Sequence, residues 1–189
     1  GSGSVSPGSG YSDEHRRSRI FADLIHMAFV CDLTRAASLQ ITAFQSHMNA
    51  RPIADGLGTL DGTVRPARWA SVGGDVHEVG HNGDPNTRGQ IPSAGLLQWH
   101  ISHYAYLIDK LRNTPEGAGN VLDNSMIVFT AEAGHGRQLN DGTSQNQTHS
   151  VENMVMLLAG RAGGFSPGEH IDGQGAHPAT ALIRAMQAA

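Results

Sequence analysis

Two short runs constrain this chain more than anything else in it. SMIVFTAE, residues 125–132, and NMVMLLAG, residues 153–160, are dominated by apolar and β-branched side chains. Neither has the three-and-four spacing of a helix face or the alternation of a strand with one wet side. Such runs read as strands buried on both faces. Strands of that kind need neighbours for their backbone groups and helices over their faces, so the pair predicts a sheet in a layered α/β structure.

Candidate covering helices are present. Ser12 followed by Asp13 and Glu14 makes a helix start, and Ile20, Phe21, Leu24, Ile25, Ala28 and Phe29 then recur at helical spacing, predicting a helix over about 12–31. Leu96, Leu97, His100, Tyr104, Leu107, Ile108 and Leu111 predict a second over about 92–113. HPATALIRAMQAA reads as a closing helix, AASLQITAF as a short buried strand at about 36–43, and RAGGFSPGEHIDG as a turn with a short edge hairpin. The polar stretch AGHGRQLNDGTSQNQTHSVE reads as a loop between the two apolar runs. The expectation is therefore a Gly/Ser/Pro flexible tail at 1–11, then a single α/β domain at 12–189 with a long irregular loop at about 44–90.

Composition excludes several classes. A formal net charge of −4 offers no basic field for nucleic acid, and no apolar run approaches the roughly 18 residues of a membrane span. Nothing at the start reads as a signal peptide, although maturation or truncation would remove one. Cys31 is the only cysteine, which rules out an internal disulfide, and its place in MAFVCDLT predicts a buried small hydrophobe. The unusual entries are 24 glycines and 11 histidines, a composition that suits a loop-rich metal protein.

Reactive groups in open α/β sheets gather just beyond the carboxyl ends of strands. Glu132 ends the first apolar run there, His135 follows three residues on, and His149 precedes the second run. If the two strands are neighbours, these three converge, and His77 and His81 from the long loop could join them. Imidazoles with a carboxylate are a ligand set for zinc, iron or manganese, so a divalent metal ion, with zinc the first candidate, is the expected cofactor. Asp75 and Asp84 are candidate oxygen ligands. His47 either lines the same site or bonds backbone, while His100 and His103 read as packing or surface positions. His15, His26, His170 and His177 receive no role. Arg35 and Arg137 are candidates for holding a small anionic substrate, and Arg35 could equally pair with Asp32.

HEVGH, residues 77–81, also matches the His-Glu-x-x-His signature of zinc peptidases. That chemistry needs a helix to stack both imidazoles on one face, and Gly73, Gly74, Gly80, Asn82, Gly83, Asp84 and Pro85 argue for loop instead. The third histidine of the extended signature is missing, because Asp84 and Thr87 stand at its further positions.

FADLIHMAFVCDLTRAASLQ, HEVGHN, IVFTAEAGHG and HSVENMVMLLAGRAGG together resemble a bacterial family of unknown function called HXXSHH, after its His-x-x-Ser-His-His motif. The order and approximate spacing of the four blocks match over residues from about 12 to 189. The motif falls on His77 to Asn82, with Gly80 for the family serine and Asn82 for its last histidine. Members are typically exported and about twice this length, so the resemblance implies a periplasmic or extracellular protein of which this is the C-terminal half, partnered by the N-terminal half or another chain. The family is distantly similar to the alkaline phosphatase and sulfatase superfamily. That similarity implies an alkaline-phosphatase-like sheet flanked by helices, forming part of a larger domain. It puts Glu132 and His149 on metal-ligand positions, with His77 and His81 as another pair, and gives no residue here the nucleophile's role. The leading expectation is an exported metal-dependent hydrolase acting on phosphate or sulfate esters. A non-catalytic extracellular binding or structural module is the alternative, and a zinc peptidase the third.

Overall fold

A computed structural model describes residues 13–43, 48–49, 53, 76–77, 90–131, 134–136, 147–150 and 154–188, with only the backbone described at 90–93, 134–136 and 147–150. The expected tail at 1–11 and most of the expected loop at 44–90 lie outside these residues. The chain is mixed α and β. Among the described residues, the elements with defined bounds are helix α1 (Glu14–Val30), helix α2 (Gln90–Arg112), strands β1 (Pro115–Glu116), β2 (Gly119–Asn120), β3 (Met126–Thr130), β4 (Gly134–Gly136), β5 (Gln147–Ser150) and β6 (Met156–Gly160), and helix α3 (Ala179–Ala188). A single 3-10 turn occupies Ala162–Gly164. No helix among the described residues is long and apolar enough to cross a membrane.

Two compact units divide the chain, one of residues 1–21 with 39–103 and one of 22–38 with 104–189. In the first unit, the start of α1 is capped by Asp13 rather than Ser12, its Oδ1 accepting from the Arg16 N–H at 3.4 Å. Met48, Ile53, Leu96 and Trp99 form the unit's described apolar core, with Ile41 and Val76 packed against it. The Val76 N–H donates to the Met48 carbonyl at 3.0 Å. The predicted strand at 36–43 is not formed, for two reasons: most of its residues are exposed and no strand pairs with it. β-Branched content alone does not satisfy a strand's backbone.

The second unit holds the sheet structure. β3 pairs with β6 in antiparallel register, from Met126 opposite Gly160 to Thr130 opposite Met156. The two apolar runs are thus neighbours, as the site reading required. An antiparallel pair of this kind needs no crossover helix, because its strands can be joined by a hairpin. β4 pairs with β5 inside that hairpin, where the sequence had suggested loop, and β1 with β2 makes a minimal hairpin after α2. α3 packs on β3 and on the 3-10 turn, whose Gly163, at φ 63°, lies so close that an added Cβ would stand 2.7 Å from Ala188 Cβ. The predicted edge hairpin after residue 161 is absent: 165–178 contains no strand.

α1 departs from its apolar pattern. Glu14, Ser18 and Ala22 form its buried stripe, whereas Ile20, Phe21, Leu24 and Met27 are exposed. Cys31, expected to be buried, is exposed just past the helix end. There Asp32 takes a left-handed conformation and the Leu33 N–H returns to the Ala28 carbonyl at 2.8 Å, a Schellman-type stop that turns the chain outward.

Candidate functional site

β3 ends at Thr130, and the strand-end chemistry begins two residues later. Glu132 lies outside the described residues. His135 sits in the middle of β4 and His149 in β5. Their strands are joined with Gly134 opposite Ser150 and Gly136 opposite Gln147, so one residue, His135, faces two, Thr148 and His149. That is a β-bulge, a device that bends a strand and re-aims its side chains, common beside functional sites. The backbone therefore brings two of the predicted metal ligands to opposed positions, just beyond the carboxyl end of β3. Two imidazoles are donors that fit a zinc-like ion.

The remaining candidates fall elsewhere. His77 belongs to the first unit and His135 and His149 to the second. Val76 and His77 are helical, where the glycine-rich flanks predicted loop. A helical turn there is compatible with Val76 being held by its hydrogen bond to Met48 and by packing on the Met48, Ile53, Leu96 and Trp99 cluster. His81, Asp75, Asp84, His47 and Arg137 lie outside the described residues. Arg35 pairs with Asp32 at 3.1 Å, both side chains well exposed. Among the described residues no group of three or more His, Cys, Asp or Glu stands together as a metal cage.

Several histidines have structural work that the sequence did not reveal. The His100 Nδ1 lies 2.9 Å from the Leu96 carbonyl, which can only accept, so Nδ1 carries the proton and Nε2 accepts from Thr42 Oγ1 at 3.2 Å. Burial pushes the His100 imidazole below its ordinary value, against the carbonyl bond that raises it. His26 Nε2 meets Thr114 Oγ1 at 2.7 Å, and His177 Nδ1 accepts from the Ala179 N–H at the start of α3.

His103 is different. It is 2% exposed, stands edge-on to Trp99 at 4.7 Å, and lies 5.0 Å, ring centre to ring centre, from His15. Burial, and then the repulsion a charge on His103 would meet from charged forms of His15, Arg19 and His100, lowers its pKa to about 3. His15 is also lowered, by burial first and then by Arg19, while Asp13 raises it. From the sequence, His103 reads as a packing or surface position and His15 receives no role. His103 is in fact buried, as its spacing of seven residues from Leu96 and four from Trp99 on one helix face suggests.

No family model, curated protein or solved structure matches the chain.

Proposed function

We propose that this chain is a metal-dependent, hydrolase-like part of an exported protein, acting on phosphate or sulfate esters. The observation that carries the reading is the β4–β5 bulge, with His135 opposite His149 immediately after the apolar strand that leads to Glu132. The four sequence blocks that resemble the HXXSHH family, and through it the alkaline phosphatase and sulfatase superfamily, support it, and an alkaline-phosphatase-like sheet is part of the same proposal.

His135, His149 and Glu132 would hold a divalent ion, zinc being the first candidate for imidazole ligands. Bound there, such an ion polarises an ester oxygen and stabilises the charge that builds as the ester breaks. His77 and His81 are the candidate second pair. The nucleophile belongs to another chain or to another part of a longer one, since no residue of these blocks carries that role. The test is metal content by plasma mass spectrometry with turnover of aryl phosphates and sulfates, on the parent and on His149→Ala and Glu132→Gln. The reading expects near-stoichiometric metal in the parent and its loss in both variants. Equal metal content in all three would reject it and leave the non-catalytic binding module standing.

One observation favours a second reading. The backbone is helical at Val76 and His77, the entry to HEVGH, and the zinc-peptidase motif calls for a helix that continues from there to His81. For that reading, Glu78→Gln abolishes proteolysis and retains zinc.

A further inference from the structure

The first unit contains imidazoles that the strand-end reading does not use. Among the described residues, neither ring nitrogen of the buried His103 has a hydrogen-bond partner. Trp99, one turn earlier on α2 and equally buried, has none for its indole Nε1. Native interiors satisfy nearly all such groups, and a buried side chain that breaks the rule is often one that serves an ion or a reaction. We propose that His103 and His15 form a two-imidazole site for a late transition-metal ion of the zinc, cobalt or copper type.

The geometry fits that use. Two imidazoles on one tetrahedral ion, with metal–nitrogen bonds of about 2.0–2.1 Å, hold their ring centres about 5 Å apart. The His15 and His103 centres are 5.0 Å apart, with the rings inclined at 51°. Coordination takes one nitrogen from each ring and leaves the other for a hydrogen bond.

The surroundings select the metal. Among the described residues, the charged or titratable groups that act on His103 are His15, Arg19 and His100, with no carboxylate among them, and Asp13 acts on His15. Magnesium or calcium would meet nitrogen where it needs oxygen, beside a positive guanidinium. A borderline ion gains enough from bonds to neutral imidazole to bind there. Both rings are held in that neutral form, since burial and Arg19 keep their pKa values low. Two protein ligands leave positions open for water or a substrate atom.

Trp99 supplies the readout. Its indole centre is 4.7 Å from the His103 ring, so a paramagnetic ion on His103 lies close enough to quench it. The chain has one other tryptophan, Trp69, which Trp69→Phe removes. Titrating the full chain carrying that change with Co2+ should quench Trp99 fluorescence saturably. His15→Ala, which leaves the buried His103 and Trp99 in place, should weaken the quenching at least tenfold, and His103→Leu should abolish it. His149→Ala should leave it unchanged, which separates this site from the strand-end one so that either fails without the other. Absence of saturable quenching in the parent overturns the proposal. Quenching that survives His15→Ala at full strength does the same.

Discussion

The strand pair β3–β6 and the α2 face that carries Trp99 and His103 are both built from short sequence patterns, yet they handle polar groups in opposite ways. In the strand pair, five consecutive register positions are matched from Met126 to Thr130, and the side chains are almost all aliphatic or aromatic. Most polar groups at issue are backbone, and the ladder pairs those on the facing edges of the two strands. The helix face instead buries a polar ring, His103, beside an indole, without hydrogen-bond partners among the described residues for either ring's nitrogens. The first arrangement is what a sequence does for stability. The second costs free energy, about 1–3 kcal/mol for each buried group left unmet, which makes it the more informative of the two about function.

The sharpest way to break the comparison is at the end of the strand pair. Gly160 closes the register opposite Met126 at φ 105°, and a Cβ built there would stand 1.9 Å from the Ser125 carbonyl oxygen. Neither the backbone conformation nor the contact tolerates a side chain. Gly160→Ala is expected to cost more than about 4 kcal/mol, at the top of the range for single substitutions. Gly164, at φ 80°, has nothing within 4 Å of the same built atom, so Gly164→Ala should cost only the left-handed penalty of about 1–2 kcal/mol. Amide hydrogen exchange in β3 and β6 measures both, and similar protection in the two variants would show that the close approach does not govern this end of the sheet.

The strand pair was also the most legible part of the sequence. Its residues are apolar whatever surrounds them, so the runs announce two strands. The expected burial on both faces is not met, since β3 and β6 are mostly half-buried, and neither run encodes their antiparallel pairing. The helices were legible in extent but not in facing. Periodicity pointed to Ile20, Phe21 and Leu24, whereas Glu14, Ser18 and Ala22 are the buried stripe of α1, because a hydropathy pattern does not register a glutamate satisfied by its own helix: Glu14 Oε1 accepts from Arg17 at 2.8 Å. His135 and His149 stand out in the sequence by their nearness to the two apolar runs, but the segment reads as loop. Neither β4 and β5 nor the bulge between them is legible, since register depends on pairing that no single strand encodes. His103, which reads as a packing or surface position, and His15, which has no role, were not legible as a pair for a further reason. They are 88 residues apart in sequence, and only the fold makes them neighbours.

An intermediate effect tests the other side of the comparison. His103 titrates at about 3 in the folded chain, against 6.5 for an imidazole in water. Below pH 6.5 the unfolded chain takes up a proton that the folded chain refuses. Stability of the metal-free protein is therefore undiminished above about pH 6.5 and falls progressively as the pH drops toward 3, by on the order of 1.4 kcal/mol for each unit of pH in that window. His15 and His100 are lowered as well and add to the same slope. His103→Leu removes the largest share of the slope. At pH 7 it should leave stability equal or higher, because an apolar group of similar size replaces a polar one that lacks partners. Urea unfolding in a chelating buffer at pH 7 and 4.5, followed by Trp99 fluorescence, measures the difference. An unchanged acid slope in the variant would mean that His103 gains water or another partner that relieves its burial.

The smallest effect lies where a buried polar group is satisfied by the strand pair itself. Tyr104, half-buried on α2, donates its hydroxyl to the Ile127 carbonyl at 3.2 Å and packs its ring against Phe129 with centres 5.6 Å apart. Tyr104→Phe keeps the ring contact and removes only the hydrogen bond, so the expected loss is about 1 kcal/mol at pH 7. Burial pushes the phenol up to about 12 from its ordinary 10. The folded chain thus holds this proton more tightly than the unfolded one, and the stability so gained is complete below pH 10 and declines as the pH rises toward 12. Tyr104→Phe should accordingly flatten the alkaline limb of a stability profile while leaving the acid limb to His103. If the loss at pH 7 instead exceeded about 3 kcal/mol, the hydroxyl would be holding more of the β3 edge than one hydrogen bond accounts for, and the strand pair would depend on polar contacts as much as the helix face does.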